Sequence, residues 1–162
     1  MASCPTSIGN AIRKLKQLGS RAVPFLRHGL QHPEHLVRVG CCIVQDHVYD
    51  DSRLPGLIEN LNHLHPDVRT RALYALVCDR CKKGVCRPAE NLLLDPVIRL
   101  LLYDPERKVR QMAAGMLGPS VHRSPEVLHA LQQAHRSDNH PAVRKVCSWW
   151  VPGGTCFVKS LP

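Results

Sequence analysis

Residues 78 to 88 read "CDRCKKGVCRP", with three cysteines within nine residues and four basic residues across the stretch. Cys78 and Cys81 are three apart, so a helix running through them would place both thiols on one face. Gly84 is suited to end that helix and let the chain carry Cys86 back toward them. Three thiolates make a partial zinc site, and tetrahedral zinc needs a fourth ligand. His47 is the candidate, because it follows Arg38 by the same interval at which Cys78 follows Arg69. Arg80, Lys82, Lys83 and Arg87 would favour thiolate, which suits a redox-sensitive or disulfide-forming cluster as well as a metal site. The third reading is chemically inert: free cysteine often just extends an apolar helix face.

Such a site needs elements to position it, and the chain announces them by repetition. Four segments share one plan: "FLRHGLQHPEHLVRVGCCIV" from residue 25, "LIENLNHLHPDVRTRALYAL" from 57, "VIRLLLYDPERKVRQMAAGML" from 97 and "VLHALQQAHRSDNHPAVRKVCSWWV" from 127. Each has an apolar run, a His-Pro or Asp-Pro step, a Val-Arg pair and a second apolar run. Pro33, Pro66, Pro105 and Pro141 are separated by 33, 39 and 36 residues, a period expected of stacked supersecondary units. Val68, Ala72, Ala75 and Leu76 form one apolar helical stripe, repeated by Val109, Ala113, Met116 and Leu117, by Val143, Cys147, Trp150 and Val151, and in part by Val37, Cys41 and Val44. Proline fits the first turn of a helix and pushes its predecessor out of helical geometry, which separates two helices in each unit. Asp104 is placed to cap a helix. No strand pattern is present.

The motifs "HPDVR", "DPERKVR" and "HPAVR" resemble the second-helix opening of the HEAT-repeat family, most closely short bacterial units of the phycobilisome-lyase type. Three of the four units carry His where that family has Asp, and units one and three read as having two residues inserted between proline and arginine. The resemblance implies an all-α fold: an α-solenoid of about four HEAT-like helix pairs. The domain spans 1–151, with a capping helix over 6–18 whose N-cap is Thr6 or Ser7, and repeats at about 20–48, 53–80, 92–118 and 125–151. Residues 152–162 show no helical pattern and read as a flexible tail. It also implies that Arg38, Arg69, Arg110 and Arg144 form a structural ladder with acidic groups of neighbouring repeats. The alternative for these four is a basic stripe on a phosphate backbone.

Composition narrows the function. The net charge is +9, and residues 1 to 33 contain no acidic residue. That balance favours an acidic partner. Arg71, Arg107, Lys108 and Lys145 lie off the apolar stripe and are the candidate binding charges, with Trp149 as an aromatic anchor. No apolar run reaches the length of a membrane span, and no export signal is legible, so the expected location is the cytoplasm with reduced cysteines. No nucleotide-binding or hydrolase motif occurs, and no His is directly followed by Glu, the pairing that HEAT-type iron hydroxylases repeat. The sequence therefore predicts a non-catalytic interaction or scaffold module for a protein or peptide partner, with zinc as the one possible cofactor. Nucleic-acid binding through a basic face is the alternative, and a lyase-like or chaperone-like protein acting on a bound client is the third reading.

Overall fold

The structure is a computed structural model that describes residues 5–45, 47–48, 51–76 and 90–160. All regular structure among the described residues is helical. The chain forms two compact units, Met1–Pro88 and Ala89–Pro162.

In the first unit, α1 (Pro5–Leu18) is followed by a 3₁₀ turn, α2 (Val23–Gly29) and α3 (His35–Gln45); a second 3₁₀ turn leads to α4 (Leu54–Asn60) and α5 (Pro66–Leu76). Helices α2 and α3 form one hairpin and α4 and α5 another; α3 packs on α5, and α1 lies against α3. In the second unit, α6 (Glu90–Tyr103) pairs with α7 (Arg107–Leu117), and α8 (Pro125–Ser137) pairs with α9 (Pro141–Ser148). There α6 packs on α8 and α7 on α9. Proline opens several of these helices, at residues 24, 55, 125 and 141, where its missing N–H costs nothing. Helix α1 begins at Pro5, so Thr6 and Ser7 fall within its first turn instead of capping it. Gly19 ends α1 at φ 55°, a conformation that side chains with a β-carbon rarely adopt.

The valine stripe is the core of each hairpin. Val68, Val109 and Val143 are completely buried, as are Ala72, Ala113 and Cys147 one turn on. Val37 differs: it is 37% exposed, because it borders an open apolar groove between α1 and α3 that α1 only partly covers. The small residue at the Cys41 level is a matter of space. A β-carbon on Gly29 of α2 would overlap the Cys41 sulfur, so the two helices approach as closely as their atoms allow. Gly118 is constrained in the same way by the indole of Trp150.

Part of the stretch expected as a tail is helical. Thr155–Lys159 form a five-residue helix, α10, docked onto the second unit. The Trp149 carbonyl accepts from the N–H groups of Cys156 (3.0 Å) and Phe157 (2.9 Å). The His122 ring contacts that of Phe157 at 4.3 Å, and its Nε2 lies 2.9 Å from the Phe157 carbonyl. A helix this short has no periodicity to read, and backbone carbonyls hold it, which no side-chain pattern reports.

Leu131→Ala, at a fully buried site, should lower unfolding free energy by about 2–5 kcal/mol. Leu64→Ala, at a 96% exposed site, should stay within about 0.5 kcal/mol of the parent; urea titration followed by circular dichroism measures both.

Candidate functional site

Four turns, one per hairpin, are built to a single plan. Each begins with a residue whose carbonyl accepts from the guanidinium of an arginine six positions later. Arg38 donates to His32 (2.7 Å), Arg69 to His63 (2.8 Å), Arg110 to Asp104 (2.8 Å) and Arg144 to Asp138 (2.7 Å). The side chain of that first residue accepts the backbone N–H two positions on. His32 and His63 do so through Nδ1 at 3.0 Å, Asp104 and Asp138 through a carboxylate oxygen at 2.8 Å. The next residue but one repeats the device as the cap of the following helix. Glu34 accepts from Leu36, His65 from Asp67, Glu106 from Lys108 and His140 from Ala142. These bonds satisfy N–H groups that a helix start leaves without partners.

This pattern corrects the reading of an insertion in the first and third units. The interval from first turn residue to arginine is constant; the proline is what moves. Pro33 and Pro105 follow the first turn residue, whereas Pro66 and Pro141 follow the cap. Both places tolerate a residue without an N–H. It follows that Asp104 is the opening residue of its turn, and Glu106 is the cap of α7.

Two of the arginines also tie one hairpin to the next. Arg38 donates to the Asn60 side chain at 2.7 Å and lies 3.9 Å from Glu59; Asn60, fully buried, donates in turn to the Leu30 carbonyl at 3.0 Å. Arg110 grips Asp138 through Nε (2.7 Å) and Nη2 (3.1 Å) and reaches Asn139 at 2.7 Å. Such forked contact is the stronger form of ion pair. Burial works to raise the Asp138 pKa, but hydrogen bonds from Arg110 and the His140 N–H outweigh it and hold the carboxyl below its ordinary range. Asn60 and Asp138 escape sequence reading because they lie outside the repeated Val-Arg motif.

The candidate binding charges sit elsewhere on the same helices. Arg71, Arg107, Lys108 and Lys145 are exposed, and Trp149 is 40% exposed. The Arg71 guanidinium stands 5.7 Å over the Tyr74 ring. Of the proposed metal ligands, Cys78, Cys81 and Cys86 lie outside the described residues. His47 is exposed just beyond α3, its N–H bonded to the Val44 carbonyl at 2.9 Å. Among the described residues, no group of three His, Cys, Asp or Glu side chains is arranged to hold a metal ion. Burial pushes the thiols of Cys41 up to about 11 and of Cys42 and Cys147 up to about 12, so these three are protonated packing groups at neutral pH. Among the described residues no helix is long and apolar enough to cross a membrane.

Compared with known proteins, the chain matches no protein-family model, and no curated protein is detectably similar to it.

The Arg110–Asp138 pair has side chains only 9% and 6% exposed, so removing one partner strands a buried charge. Arg110→Ala should therefore cost about 3–5 kcal/mol of unfolding free energy, and adding Asp138→Ala to it should restore part of the loss. The Asp138 pKa is depressed, so its contribution is present above the unfolded carboxylate value of 3.8 and is lost as pH falls through the folded one. Acid titration of the parent and of Arg110→Ala measures this: the variant should unfold at higher pH.

Proposed function

We propose that the chain is a non-catalytic module of HEAT-like hairpins, stacked as an α-solenoid, that binds an acidic protein or peptide. The observation that carries this reading is a division of labour among the basic residues. Arg38, Arg69, Arg110 and Arg144 spend their donors on turn carbonyls. Arg71, Arg107, Lys108 and Lys145 stand exposed on the second helices of the hairpins, with Tyr74 exposed on α5 and Trp149 exposed just after α9. Each unit therefore presents its own basic and aromatic groups. Interfaces draw strength from such groups: aromatic and arginine side chains anchor, and surface charges steer. The side-by-side packing of hairpins within each unit supports the solenoid reading.

A fluorescent poly-glutamate peptide tests the proposal. Binding should weaken as salt rises, and Arg71→Glu combined with Arg107→Glu, Lys108→Glu and Lys145→Glu should weaken it by about tenfold or more. Unchanged binding in that variant would sink the assignment of these residues. Tight binding of random duplex or single-stranded nucleic acid, with a steep salt dependence and no peptide binding, would replace the reading with the nucleic-acid one.

A further inference from the structure

The turns of the two units differ in one chemical respect. In the second unit, both opening side chains are carboxylates, Asp104 and Asp138. In the first unit they are imidazoles, His32 and His63. The caps do not divide in this way: α5 and α9 are both capped by imidazoles, His65 and His140. A carboxylate accepts hydrogen bonds throughout the neutral range. An imidazole accepts at Nδ1 only while that nitrogen is unprotonated, and imidazole is the side chain that changes charge between about pH 5 and 8.

The surroundings of the α4–α5 turn are hostile to added positive charge. The His65 ring stacks on the His35 ring of α3, with centroids 4.0 Å apart and planes inclined by 17°. The Arg38 guanidinium of α3 acts on His63, as do His35 and His65, and Arg69 of α5 donates into the same turn. Carboxylates nearby are Glu34, 3.0 Å from His35, Glu59, 3.9 Å from Arg38, and Asp67, 3.9 Å from His65. Their side chains are 55%, 56% and 73% exposed, so solvent and salt screen them. Helix α1, packed on α3, carries Arg13, Lys14 and Lys16 and no acid; α2, paired with α3, carries Arg27 and His28 and no acid.

We propose that the turn between α4 and α5 is a pH-sensitive latch, closed by a neutral imidazole at His63 and opened by its protonation. Protonation turns the His63 Nδ1 from acceptor to donor. The N–H group of His65 then loses its partner, and positive charge arises at a helix N-terminus, where it opposes the helix dipole. The direction of the His63 shift agrees. Burial first, and then the Arg38 charge, lower its pKa from 6.5, so the folded turn favours the neutral ring. The stability it contributes is complete above pH 6.5 and is lost as pH falls through 6.5 toward the lower folded value.

Hydrogen exchange on the full chain, corrected for intrinsic rates, tests the latch at about pH 7.5 and about pH 5.5. Protection in the first turns of α5 should fall by about tenfold or more at the lower pH, while α7, capped by Asp104 and Glu106, keeps its protection. The variant H63D/H65E gives the α5 turn the carboxylates of the α7 turn and should abolish the change. Equal losses in α5 and α7, or a variant that follows the parent, would overturn the proposal. If the variant does not fold, nitrogen NMR of the parent decides: Nδ1 of His63 must be proton-free at about pH 7.5, and finding the proton there refutes the latch.

Discussion

The hydrogen bond from an arginine side chain to a carbonyl six residues earlier is the constraint on which the hairpins depend. A turn between two helices leaves carbonyls and N–H groups without partners at the very place where the chain must reverse. Arginine resolves the carbonyl side of this problem, because its fork of donors reaches over one turn of helix and is charged at every physiological pH. The acceptor side chains at the start of the turn and at the cap resolve the N–H side. With both satisfied, the valine that precedes the arginine is fixed on the inner face, and three of the four such valines are fully buried.

The same arginines do unequal work beyond the turn. Arg110 meets a buried carboxylate that is itself part of the next turn, so the third and fourth turns are joined by charge. Arg38 meets a neutral amide, Asn60, which passes the connection on to the Leu30 carbonyl. When the amide link opens, the acceptor it leaves is neutral, whereas opening the carboxylate link leaves charge unpaired on both sides.

The hairpins and their inward stripe were legible in the sequence because period 3.6 is a property of side-chain type alone. Val68, Val109 and Val143 could be placed without coordinates. The phase of the turns was not legible, because proline is the most conspicuous marker and an unreliable one: it is at home both after the opening residue and at the first helical position. Asp104 was thus read as a cap, the role Glu106 fills. The exposure of Val37 could not be foreseen either, since it depends on how far α1 covers α3. The short helix after Gly154 was missed because carbonyls and one ring contact hold it. Of the candidate site, the exposure of Arg71, Arg107, Lys108 and Lys145 followed from their position off the stripe. The partners Asn60 and Asp138 lie outside the motif and needed three dimensions.

Trp149 and Trp150 are the chain's two tryptophans, and both lie in the second unit, one of them against Gly118. Intrinsic indole emission is therefore a spectroscopic reporter of that half alone. Loss of order in the first unit would pass unseen in a fluorescence melt, while far-ultraviolet ellipticity would register it. A gap between the two traces would be a direct optical sign that the halves come apart in separate steps.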